Sequence, residues 1–206
     1  MVFKKGLILV IISVICTTIG NAQTAVHSKD KQIKAAVKAA PAAERAEATV
    51  FGYSEKGELV KFREGDNSLV CLADDPNQSN FHVVCYHKDL ELFMSRGREL
   101  KAKGYSRKKV DSLRRKEIEA GKLTLPRKPM ALYSLTGAKD AYDYSSGMIK
   151  KVSPLYVIYV PYATEKSTGL SSKPQIKGAP WLMEPGMPWA HIMVMGTKEI
   201  GNGIRN

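Results

Sequence analysis

Apolar and polar positions alternate with a period of two in several short runs of this chain, the signature of half-buried strands. TVFGY at Thr49–Tyr53 and LVKFR at Leu59–Arg63 flank a turn-like segment, 54–58, that contains Gly57, and together they predict a hairpin. SLVCL at 68–72 and FHVVCY at 81–86 predict two more strands, separated by the polar loop 73–80. Further strand signals lie at 130–136 (MALYSLT), 155–162 (LYVIYVPY) and 190–195 (AHIMVM).

Between these groups the period changes. Leu90, Phe93, Met94 and Leu100 recur at spacings that form one helical stripe, although Gly97 weakens that helix. Ser106 is a suitable N-cap for a second helix that faces Val110, Leu113 and Ile118 inward and stops at Gly121. Pro126 and Pro129 then mark a crossing segment. Strands, then helices, then strands predict an α+β domain with a mainly antiparallel sheet and two or three helices.

The two ends of the chain read differently. Lys4 and Lys5 precede an apolar run of eleven residues, 6–16, and Gly20-Asn21-Ala22 offers small residues at the −3 and −1 positions of a cut before Gln23. This is the layout of a secretory signal peptide over 1–22, and its apolar run is too short to cross a bilayer core of roughly 30 Å. Ile15 and Thr17 around Cys16 do not suit a lipoprotein signal. Residues 23–47 are rich in alanine and charge, are interrupted by Pro41, and are expected to form a mobile arm ahead of a single domain spanning 48–196. Residues 197–206 carry two more glycines and are expected to fray.

Removal of the leader leaves Cys71 and Cys85, an even pair in an oxidising compartment, which predicts one disulfide stapling the strands at 68–72 and 81–86. The gap between them lacks the CxxC spacing of redox and zinc sites. The net charge falls from +12 to +10 with the loss of Lys4 and Lys5. The excess is concentrated in residues 96–128, where thirteen Lys and Arg face only Glu99, Asp111, Glu117 and Glu119. Such a segment is either a surface for polyanions or the cell envelope, or a solvated helical face; Tyr105 alone interleaves with the charges, which favours the solvated face.

No G-x-S-x-G elbow, H-E-x-x-H helix, P-loop or dinucleotide fingerprint is present, and no cofactor is implied. Asp74, Asp75, His82 and His87 form one polar cluster. An odd spacing puts the two histidines on opposite faces of a strand, and Asp-Asp-Pro is ordinary turn chemistry, so a structural turn is expected there. His27 falls in the expected arm. The most distinctive segment is 178–196, with Trp181, Trp189, His191 and four methionines. Met183, Met187, His191, Met193 and Met195 are thioether and imidazole donors of the kind that hold Cu(I), while methionine is also ordinary core filler.

Cys71-Leu72-Ala73-Asp74-Asp75-Pro76, then Val84-Cys85-Tyr86-His87-Lys88-Asp89, and the closing Pro180-Trp181, Pro185-Gly186 and His191-Ile192-Met193 resemble an uncharacterised family of exported bacterial proteins. Members of that family also begin with a signal peptide followed by a strand with a glycine-rich turn. The resemblance covers most of 48–195. It implies an exported location and a single domain, and it supplies no activity, ligand or site residues.

The resulting expectation is an exported, periplasmic or secreted, non-enzymatic domain that binds through a pocket formed by Trp181, Trp189 and His191. The alternatives are an exported hydrolase that pairs His191 or His87 with a carboxylate, and a soft-metal site formed by Met183, Met187 and His191.

Overall fold

The computed structural model describes residues 26–196. The predicted leader at 1–22 and the predicted tail at 197–206 lie outside the described residues. The fold is α+β, and its centre is one eight-stranded sheet. In chain order the strands are β1 (Thr49–Tyr53), β2 (Leu59–Arg63), β3 (Leu69–Leu72), β4 (Asn80–His87), β5 (Met130–Ala138), β8 (Val152–Tyr159), β9 (Trp181–Met183) and β10 (His191–Met195). A small separate hairpin, β6 (Tyr142–Asp143) with β7 (Met148–Ile149), stands between β5 and β8 in sequence. The order across the sheet is β2-β1-β3-β4-β5-β8-β10-β9. Every pairing in it is antiparallel except β1 with β3.

Each strand predicted from alternation is present within two or three residues, and the hairpin β1–β2 closes through Gly57 at φ 77°. That left-handed backbone is where glycine avoids the penalty other residues carry. Cys71 and Cys85 are direct partners in the β3–β4 ladder and form the disulfide, with both residues fully buried.

Strand alternation creates two cores. On one face, Val50, Cys71, Phe81, Val83, Cys85, Leu135 and Val152 pack against the N-terminal segment and the β6–β7 hairpin. On the other, Val70, Tyr86, Met130, Val157 and Tyr159 pack against Leu90, Phe93, Leu123, Leu125 and Trp189. The first face is covered only in part: beyond β5, Tyr156 and Ile158 remain 39% and 40% exposed.

Residues 26–47 correct the sequence reading. They do not form a mobile arm. Helix α1 (Lys29–Ala36) and two short 3-10 turns lie on the sheet, and Ala35 and Ala36 are fully buried. The small size of alanine explains both the packing and the misreading, because it allows the helix to approach closely while carrying little hydropathy signal. The Ala36 carbonyl oxygen lies 3.5 Å from Sγ of Cys85. Gln32, almost wholly buried, locks the helix to β1: its Nε2 donates to the Tyr53 carbonyl (2.9 Å), and its Oε1 accepts from the Tyr53 N–H (2.8 Å). The packed domain therefore extends N-terminally well before Ala48.

The second face carries the pair α2 (Glu91–Ala102) and α3 (Arg107–Glu119). Ser106 caps α3 as predicted, its hydroxyl accepting from the Lys109 N–H. A short helix, α4 (Glu165–Thr168), is closed by a Thr164–Ser167 capping box. Among the described residues no helix is long and apolar enough to cross a membrane.

Candidate functional site

The groove is built where strand parity and the α2–α3 pair meet. On the second face β4 presents His82, Val84 and Tyr86, and β10 presents His191, in register with Tyr159 of β8. Helix α2 lies above them with Phe93, Met94 and Gly97 facing the sheet. The space between is a groove of about 540 Å³ with apolar walls from Leu72, Val84, Phe93, Met94, Leu132 and Trp189.

Aromatic rings line one end as a connected series. Phe93 lies 5.8 Å from Trp189 and 6.4 Å from Tyr159 between ring centroids, and Tyr159 lies 5.2 Å from His191. Offset and tilted pairs of this kind add modestly to the apolar burial itself. Arg114 of α3 stacks on Phe93, with its guanidinium carbon 3.9 Å from the ring centroid, and its Nη2 donates to Asp111 at 2.6 Å. A Cβ at Gly97 would lie 3.0 Å from Arg114 Nη1, so the glycine that weakens α2 is what admits this guanidinium. Burial pushes the Tyr159 and Tyr53 phenols up to about 12, so both are neutral hydroxyls at the groove wall. Tyr86 is also pushed up by burial; it donates to Glu91 and accepts from Arg98 at 3.0 Å.

His191 is half-buried. Its Nδ1 lies 2.8 Å from the Trp189 carbonyl, which fixes the proton on Nδ1 in the neutral ring and leaves Nε2 as an acceptor. Desolvation by burial holds its pKa below the usual imidazole range, outweighing the Trp189 carbonyl and Glu184, which act in the opposite direction. His82, open at the groove floor, is lowered by desolvation as well, and so is His27, which stacks on Tyr144 at 3.6 Å.

These depressed values set a pH response. In the unfolded chain the three rings return to about 6.5, so on acidification the unfolded state takes up protons before the folded state does, and stability falls. The urea midpoint should drop between pH 7.5 and pH 5.5, before the lowered carboxylates such as Glu99 titrate. His191→Gln should shrink that drop. An unchanged midpoint across this window would contradict the assignment.

The sequence-predicted residues are only partly gathered. Trp189 and His191 share the groove. Trp181, on edge strand β9, lines a separate hollow of about 360 Å³ with Ile176 and Met195. The expected trio is therefore split by the turn at 184–186, where Glu184 and Gly186 both have positive φ. The thioethers serve different ends. Met183 stands in register opposite His191, Met187 presents its sulfur to Arg115 Nη1 at 3.8 Å, Met193 packs in the second core, and Met195 is 49% exposed.

The polar cluster near Asp74 has the expected structural use. Asp74 accepts the His82 N–H at 2.9 Å and pairs with Lys139 at 3.0 Å, while Asp75 accepts the Asn77 N–H. His87 Nδ1 accepts the Asp89 N–H at 3.2 Å and lies 3.8 Å from the Asp89 carboxylate. Among the described residues no imidazole nitrogen hydrogen-bonds a carboxylate, and no three of the His, Cys, Asp and Glu side chains are grouped to hold a metal ion.

The basic segment is partly consumed by the helix pair. Arg96 bridges Glu117 across α2 and α3 and also pairs with Glu99, Lys103 shares Glu99, and Arg115 pairs with Glu119. Arg98, Arg114 and Lys128 have acidic partners too. Of these pairs Arg96–Glu117 alone ties α2 to α3, and the others lie within or at the end of one helix or, for Lys128, reach Asp89 ahead of α2.

Tyr53, Phe93, Lys101, Arg107, Arg114 and Glu184 also line the groove and were not singled out in the sequence. The signal for Phe93 was the α2 stripe itself, which faces strand residues of even number on β4. No family model, no curated protein and no solved structure matches this chain.

Proposed function

We propose that this chain is an exported, non-enzymatic binding domain whose ligand lies in the groove between the sheet and α2–α3. The observation that carries this reading is the groove itself: apolar walls, an aromatic end at Trp189, and polar groups at its two ends. Sites of this size with mostly apolar walls and few polar groups suit small organic ligands. The Cys71–Cys85 disulfide and the leader-like segment at 1–22 support export.

Binding is favoured over hydrolysis by the placement of the histidines. His82 lies in register with Thr136 of β5, and His191, through Tyr159, with Met130. Six residues of strand at about 3.3 Å each separate them along the sheet, and three strand spacings of about 4.8 Å across it. They cannot meet at one reacting atom, and among the described residues neither His191 nor His87, the two candidate bases, has a ring nitrogen hydrogen-bonded to a carboxylate that would orient it: His191 Nδ1 faces the Trp189 carbonyl, and His87 Nδ1 accepts the Asp89 N–H with the carboxylate 3.8 Å away.

The test uses the naphthalene sulfonate probe ANS and the Trp181→Phe protein, in which Trp189 is the indole reporter. ANS should quench that indole saturably, and Val84→Phe, which fills the groove, should weaken binding at least about tenfold with the unfolding midpoint preserved. Equal binding by Val84→Phe would contradict the groove as the site.

A further inference from the structure

The groove carries one unpartnered charge of each sign, at opposite ends. Lys101 of α2 lines it with no hydrogen bond or ion pair among the described residues, and it lies near enough to His82 to act on that ring's charge. Glu184 lines the other end, equally without a side-chain partner among the described residues, and acts in the same way on His191. The other charged groups on the walls have partners: Arg98 pairs with Glu91, Arg114 with Asp111 and Asp75 with the Asn77 N–H, while Arg107, mostly exposed, lies 3.8 Å from the Asp111 carboxylate and also acts on His191.

Resting on the groove reading above, we infer that the ligand is a short peptide with free ends, its carboxylate at Lys101 and its ammonium at Glu184. Three features point to this class. The two charges left without side-chain partners among the described residues differ in sign, which a simple acid or a simple amine would not use. The walls between them are apolar, which suits side chains such as leucine. The span sets the length: the diagonal between the His82 and His191 ends is about 25 Å, and an extended chain covers that in about seven residues. The Nε2 acceptor of His191 is available to peptide amides along the way.

The probe is an alternating alanine–leucine peptide of about seven residues, used with both ends free, N-acetylated, or C-amidated, and followed by the Trp189 indole in the Trp181→Phe background. A charge-assisted contact of this kind is expected to be worth about tenfold in affinity. N-acetylation should therefore weaken binding about tenfold in the parent and have no effect in Glu184→Gln. C-amidation should weaken it about tenfold in the parent and have no effect in Lys101→Met. Equal binding of the free and blocked peptides overturns the inference, as does a blocking effect that survives in the matching variant. Failure of the free peptide to bind a protein that still takes ANS in the groove overturns the peptide assignment and leaves the groove standing; failure of both probes overturns the two together.

Discussion

Replacing Ala36 with aspartate is expected to cost about 3–5 kcal/mol of stability, because it forces a carboxylate into a packed, unpaired apolar site. Ala36 is fully buried between α1 and the sheet, with its carbonyl against the disulfide. The carboxylate must either be desolvated or take up a proton, and the added atoms also overpack a core built for a methyl group. Lys34→Asp, an exposed position on the same helix, is the control and should change stability by less than about 0.5 kcal/mol. Urea unfolding followed by circular dichroism separates the outcomes. Equal, small effects at the two positions would mean that the N-terminal segment is not part of the core.

The second large effect concerns the disulfide. The double variant Cys71→Ala, Cys85→Ala should lose about 3 kcal/mol, the chain-entropy value for a closed loop of about 15 residues. The bridge joins directly paired residues of β3 and β4 in the middle of the sheet, so its removal also leaves two small voids beneath α1. The wild-type protein should show the same loss on addition of dithiothreitol under denaturing conditions, and the variant should be indifferent to reductant. A loss below about 0.5 kcal/mol would show that the folded strand pair alone supplies the constraint.

The two alanines and the two cysteines also show what a sequence makes legible. Strands β1 to β5, β8 and β10 were readable because half-buried strands alternate, and the cysteines were readable as a pair because the expected leader, if removed, takes Cys16 with it and leaves an even number. Helix α1 was not. Its buried residues are Gln32, Ala35 and Ala36, which have no large apolar stripe, and its value lies in how closely alanine lets two backbones approach. The parallel neighbour relation of β1 and β3 is equally silent, since alternation fixes which face a residue takes and not which strand lies beside it. Strand β9 and the β6–β7 hairpin are too short to show a period at all.

The site was half legible for the same reasons. Composition singled out the segment holding Trp181, Trp189 and His191, and two of the three line the groove. What composition could not carry was the turn through Glu184 and Gly186 that sends Trp181 to the edge strand. Nor could it reveal the opposite wall, because Phe93, Lys101 and Arg114 come from helices 75 to 98 residues before Trp189 and His191. Gly97 shows the limit of propensity: read locally it weakens α2, and in the fold it is the gap through which Arg114 reaches Phe93.

The proposed function turns on whether ligand occupies the groove between the sheet and α2–α3. Amide and indole chemical-shift mapping of the protein, titrated with the free-ended alanine–leucine peptide and with ANS, decides it. The Trp189 indole N–H and the amides of Val84, Gly97 and His191 are expected to move together, while the Trp181 indole and the open face at Tyr156 and Ile158 stay still. Shifts confined to Trp181 and Ile176, or to that open face, would place binding elsewhere on the molecule and contradict the account.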